Sequence, residues 1–291
     1  MLDIVDAAKI QEWGERYSNV GRWGSDDARG TLNFITRARV RAACALPRLG
    51  LVISCALPFD RRARHPETAA PERAAAGAAA PALATQWCSQ SNVFYDRPSK
   101  ARRASEQAER RNGAGAWRDA IQDGVIGRGV LLDFPRFLRR PWLDDGTRIQ
   151  ARDLDNCAEA LGVAVEPGDI VLVRTGRLTR CFHQGSWNAY CGGPAPGLSV
   201  RCARWLHERE IAALASDTWS VEVIPGEAGD GSRPLHQLAL HHMGLLLGEM
   251  FHLDTLAEAC ANDGDYAFLL SAPLLPALGA VGYPINPLAV K

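Results

Sequence analysis

In the stretch ATQWCSQSNVFYD, residues 84–96, a polar side chain stands at every second position: Gln86, Cys88, Gln90 and Asn92. Residues two apart share a face of a strand, so these four would form one polar wall. None is a carboxylate or an imidazole. Amides orient a substrate through neutral hydrogen bonds, whereas a thiol packs or, as thiolate, ligates a metal. Proton transfer must come from elsewhere in the chain. His236 follows Pro234 at the start of an apolar helix, and Glu249 interrupts the apolar run LLLGEMF. A buried carboxylate without a partner is costly, so Glu249 is either paired or part of a site. Asp217 and Glu222 flank Trp219 in the same way, with SDT (216–218) reading as a structural turn. Taken alone, His236 reads as a satisfied core residue. His207 reads as solvated, and His241 and His242 as surface or packing groups.

These residues need elements to position them. Residues 5–17 read as a surface helix, followed by a Gly- and Asp-rich loop and a helix over 35–46. LGLVISCALPFD (49–60) alternates as a strand. Residues 61–82 are low-complexity Ala, Pro and Arg, which cannot build a core and predict a mobile loop gating the site. The polar strand at 84–96 comes next, and then a basic helical insertion over 97–112. Apolar strands are expected at 127–135, 168–176 and 212–225, with helices at 151–162, 199–211 and 234–244 between or after them. A short strand and a helix follow from 244, and YAFLLSAPLLP (266–276) is expected to close the sheet. Alternating strands and helices predict an α/β fold, read as one domain over 1–291.

Composition narrows the function. The 291 residues are 47% hydrophobic, enough for a large core, and the formal net charge is zero. That balance gives no reason to expect nucleic acid or an anionic membrane as partner. No apolar run reaches the roughly 18 residues of a membrane span. The eight cysteines form no CxxC pair, which suggests reduced, buried thiols in a cytoplasmic protein. The acidic, amphipathic start does not read as a signal peptide. GxSxG, HExxH, P-loop and GxGxxG patterns are absent.

Several stretches together resemble the cyclase family of metal-dependent hydrolases, which includes bacterial kynurenine formamidase and isatin hydrolase. They are GRWGSDDARGTLNFIT (21–36), SNVFYD (91–96), GDIVLVRTG (168–176), RWLHEREIAALASDTWSVEV (204–223), LHQLALHHMGLLLGE (235–249) and GYPINPLAVK (282–291). The resemblance implies a swivelling-type β/α fold, with a twisted mixed sheet curled around the active site and helices outside. It also implies a homodimer or homotetramer with pockets near the subunit interface. The family signature, H-x-G-T-H-x-D-x-P-x-H, falls on Ala82, Gln86, Cys88, Gln90 and Asn92, so its metal ligands and proton shuttle are replaced. His236 and Glu249 match the family's downstream ligand pair.

Three functions follow from the resemblance. The leading expectation is a metal-independent enzyme, without cofactor, performing cyclisation, isomerisation or dehydration of a polyketide-like secondary metabolite. His236 and Glu249 would be catalytic. Trp23, Gln86, Trp87, Cys88, Gln90, Asn92, Tyr95 and Trp219 would line the small-molecule pocket. The alternatives are an amide or lactone hydrolase whose metal is held by Cys88, His236 and Glu249, and a non-catalytic binding relative.

Overall fold

A computed structural model describes residues 4–25, 27–57, 84–88, 124–187, 189–229, 231–273 and 283–291. The expected gating loop at 61–82, the insertion at 97–112, and Gln90, Asn92 and Tyr95 lie outside the described residues. Numbered along the chain, the described strands are β1 (Val52–Ser54), β2 (Gln86–Cys88), β3 (Ile126–Asp133), β4 (Arg148–Ile149), β5 (Ile170–Arg174) and β6 (Gly197–Leu198). They continue with β7 (Ala213–Ser216), β8 (Leu246–Glu249), β9 (Ala267–Ser271), β10 (Tyr283–Pro284) and β11 (Leu288–Val290). Nine of them make one sheet in the order β1-β11-β9-β3-β5-β7-β8-β2-β10, and β4 pairs with β6 separately.

The centre of the sheet is parallel, β3-β5-β7-β8, and antiparallel pairs flank it on both sides. Ile170–Val173 is an unbroken apolar run because a central parallel strand is covered on both faces. Val171, Val173, Leu214 and Leu247 face one core, shared with Leu154, Leu206, Leu235 and Leu238 from helices. Leu172, Ala213, Ala215, Leu246 and Trp87 face a second core with Leu256, Phe251 and Phe268. The sheet curls until Ala56, just past β1, bridges to Phe251, just past β8. The His252 N–H also donates to the Cys55 carbonyl at 2.8 Å. The mixed, curled sheet with helices around it is the architecture the resemblance implied. Among the described residues no helix is long and apolar enough to cross a membrane.

Two expectations need correction, and one element is new. β9, the described part of the segment expected to close the sheet, lies inside it, and the C-terminal residues add β10 and β11. Two- and three-residue strands carry too few positions for a period to register. The strand expected over 212–225 stops at Ser216, because Asp217 turns the chain. Its carboxylate accepts the Thr175 N–H (2.8 Å), the Thr175 hydroxyl (2.7 Å) and the Gly176 N–H (2.7 Å), tying the ends of β5 and β7 together. A helix at Arg177–Gln184 was not expected from the sequence. It starts directly after Gly176, whose φ of +79° suits glycine and lets β5 turn sharply into it.

Burial pushes the Asp217 carboxyl up to about 6 from 3.8, against the pull of its Thr175 hydrogen bonds and of Arg174. The folded state therefore holds a proton that the unfolded chain has released between these two values. A raised carboxyl pKa means that stability falls as pH rises from about 4 to about 6, by on the order of 2–3 kcal/mol from this group. Asp217→Asn should lower stability overall yet flatten that part of the profile, read as urea midpoints against pH. An unchanged slope would assign the pH dependence to other groups.

Candidate active site

The C-terminal ends of β7 and β8 and the start of β2 meet at one buried cluster. Gln86 and Glu249 are direct partners in the antiparallel β2–β8 ladder, and Cys88 pairs with Leu247. Period-two alternation then points Gln86, Cys88 and Glu249 to the same side. His236 comes from the helical turn Pro234–His236, which runs on as a π-helical segment, Gln237–Met243, and ends at Gly244. Insertions of this kind are common beside functional sites. The turn packs against the same face of the sheet through Leu235 and Leu238.

Glu222 holds His236 in place. Its carboxylate accepts the backbone N–H groups of Leu235 (3.1 Å) and His236 (3.2 Å), and lies 2.5 Å from the imidazole Nδ1. On the other side of the ring, Nε2 stands 3.4 Å from Glu249 Oε1. The Gln86 amide donates to Glu249 Oε2 at 3.0 Å. Glu222, His236 and Glu249 are 1%, 2% and 3% exposed. Burial alone would favour a neutral imidazole. The Cys88 thiol, Glu222 and Glu249 outweigh it and hold the ring's pKa well above the usual histidine value. Burial likewise disfavours the Glu249 carboxylate, but His236, Arg233 and Gln86 together draw its pKa below the ordinary value.

Cys88, His236 and Glu249 offer one ligand atom each, and the three atoms lie within 4.8 Å of one another, all buried. Donors on a tetrahedral zinc ion stand roughly 3.3–3.8 Å apart, given metal–ligand bonds of about 2.0–2.3 Å. Small side-chain shifts therefore bring this trio to bonding distance. Thiolate, imidazole and carboxylate are also a chemically competent zinc set with one position left open. Glu222 on Nδ1 is the partner a metal-binding histidine requires, because it keeps the Nε2 lone pair pointed at the site. The residues fit a divalent cation. Val221 and Met250, next to Glu222 and Glu249, adopt φ of +57° and +59°. Left-handed backbone at such residues costs roughly 1–3 kcal/mol each and concentrates at functional sites.

The other expected residues divide. Trp219 is half-buried beneath Arg233, whose guanidinium carbon lies 4.2 Å from the ring centroid. Trp87 does not line the site. The same alternation that presents Gln86 and Cys88 turns its ring into the opposite core, against Phe251, with Nε1–H donating to the Ala272 carbonyl at 3.1 Å. Trp23 does not line it either. Its ring packs edge-on against Phe34, and neighbouring Arg22 pairs with Glu210, just ahead of β7. That is the N-terminal end of the parallel strands, opposite the cluster. A cavity of about 250 Å³ beside helix Ala7–Arg16 is lined by Ile10, Gln11, Gln237 and His242 among others, and by none of the trio. Glu222 was visible in the sequence only as an acid in an apolar stretch, and Arg233 carried no signal there.

The class this fold defines is a cyclase-type α/β protein, with three buried donor side chains converging at the strand ends. Residues 79–223 match the family described as "Putative cyclase". A solved structure described as a novel cyclase is 30% identical, with 94% of this chain and 99% of that one covered and a TM-score of 0.73. The chain belongs to the cyclase family. Isatin hydrolase A from Ralstonia solanacearum shares the fold at 19% identity, covering 71% of each chain, with a TM-score of 0.51. None of the curated proteins matches the chain.

Proposed function

We propose that the chain is a small-molecule hydrolase that opens an amide or lactone at a divalent cation held by Cys88, His236 and Glu249. The observation that carries this reading is the convergence of three buried donors of three types, with Glu222 backing the imidazole. When bound, a divalent cation supplies Lewis acidity and brings hydroxide within reach at neutral pH. The chain's own residues do the rest. Glu222 keeps a proton on Nδ1 and fixes the ring. Gln86 occupies Oε2 of Glu249 and leaves Oε1 toward the site. The apolar cluster of Leu57, Tyr190, Met250 and Trp219 limits water beside Glu249.

The charge count also supports it. An imidazolium with two carboxylates carries one net negative charge. A dication with a thiolate, a neutral imidazole and the same carboxylates carries one as well, so two protons exchange for the ion. A second reading keeps the site metal-independent, with ring closure, isomerisation or dehydration of a polyketide-like metabolite. It is favoured by the closed hydrogen-bond chain Gln86–Glu249–His236–Glu222, which is complete without an ion. Against it, general acid–base groups work best with a pKa near the operating pH, and His236 is held well above.

Metal titration of the purified, chelator-stripped chain tests the choice. Wild type should take up about one zinc per chain. Cys88→Asp should shift preference from zinc toward manganese, because a hard oxygen replaces a soft sulfur. Failure of wild type to bind either metal would favour the metal-independent reading.

A further inference from the structure

We infer that Arg233, stacked on Trp219, is the anion-recognition element of this site, and that the molecule bound there carries a carboxylate beside an apolar, ring-sized body. The inference rests on reading the cluster as the substrate site, and names the class of ligand. Arg233 directly precedes the turn that carries His236, and it is half-buried. Its guanidinium carbon lies over the Trp219 ring, 4.2 Å from the centroid, in a cation–π contact. Its charge is felt at Glu249. Among the described residues, however, it forms no ion pair within 4.0 Å, and the Glu249 oxygens lie against Gln86 and His236.

A guanidinium presents a planar fork of N–H donors, which matches a carboxylate in a two-pronged geometry. The surroundings supply the rest of the ligand's shape. The Met250 N–H donates to the Thr218 carbonyl at 3.0 Å, which sets Trp219 beside the end of β8. Trp187 and Trp219 pack onto Leu57, Tyr190 and Met250, an aromatic-rich wall next to Glu249. Arg233 therefore provides positive charge at the edge of an apolar surface, one residue beyond Ser232 and three before His236. A carboxylate on the ligand would give Arg233 a direct partner in addition to the longer-range pull of Glu249.

Calorimetric titration of the full chain with benzoate and with benzamide, metal-free and zinc-loaded, tests this. The two probes share size and ring and differ in charge. Metal-free wild type should bind benzoate about tenfold or more tightly than benzamide, the margin of a charge-assisted pair. Arg233→Gln should bring the two within about twofold while leaving benzamide affinity as it was. Arg233→Lys should keep part of the preference, and Trp219→Phe should weaken it, each with an unchanged circular dichroism spectrum. Equal affinities in metal-free wild type, or no binding of either probe, would overturn the inference. So would a preference that survives Arg233→Gln, which would leave Arg233 only as a countercharge to Glu249. A benzoate preference in protein that takes up no zinc removes the metal reading alone and leaves this one standing.

Discussion

His236→Ala should strip zinc from the chain and destabilise the metal-free fold by roughly 3–5 kcal/mol, the range for removing one partner of a buried ion pair. The imidazole is the cation between Glu222 and Glu249, at 2.5 Å and 3.4 Å. Without it, two carboxylates exposed by 1% and 3% face each other across a cavity. One must take up a proton or draw in water, and both responses cost stability. The loss should be partly reversed by adding Glu222→Gln, since the second change removes the charge the first one stranded. The two changes touch, so their effects should not add. Urea denaturation of the single and double variants checks this, with zinc content measured on the same samples. A His236→Ala chain as stable as wild type would show that the three groups are not coupled as described.

Gly248→Ala should be nearly as damaging although it adds a single methyl. Gly248 lies in β8 between Leu247 and Glu249. A Cβ there would come within 2.6 Å of the Phe251 ring and 2.7 Å of both Ala215 and Trp87. None of these neighbours has room to withdraw, because Trp87 and Phe251 are fully buried against each other. Overpacking of this kind costs typically 1–3 kcal/mol, and about 3 kcal/mol is expected here. The strain should also reach the site. Trp87 is opposite Gly248 in the ladder, and its displacement shifts Gln86 relative to Glu249. Zinc affinity should fall with stability, whereas Gly162→Ala, which meets no neighbour but strains a backbone at φ +68°, should cost stability and leave zinc binding alone. Calorimetry on both variants separates the two outcomes.

Much of this arrangement was legible in the sequence. The apolar run in GDIVLVRTG announced a central buried strand, and alternation over 84–88 put Gln86 and Cys88 on one face. His236 and Glu249 were found through family resemblance, since a lone histidine on an apolar helix has no chemistry of its own to declare. Trp87 was misplaced although the alternation that orders its neighbours places it too. Glu222 stood out as a buried acid, but its link to His236 was not legible because it spans 14 residues and an irregular loop, where no period applies. Arg233 escaped for a related reason: stacking on Trp219 is a tertiary fact with no spacing to read. Trp23 was assigned to the pocket by its position in the matching N-terminal loop, and packing with Phe34 holds it at the other end of the strands.

X-ray absorption at the zinc edge, on chain reconstituted with one equivalent of zinc, tests the central claim most directly. Bond lengths distinguish the donors, with sulfur at about 2.3 Å and nitrogen or oxygen at about 2.0–2.2 Å. The expected result is one sulfur with nitrogen and oxygen scatterers in a four-coordinate shell, the sulfur disappearing in Cys88→Ser. A shell without sulfur, or one that Cys88→Ser leaves unchanged, would contradict a metal centre built on Cys88, His236 and Glu249.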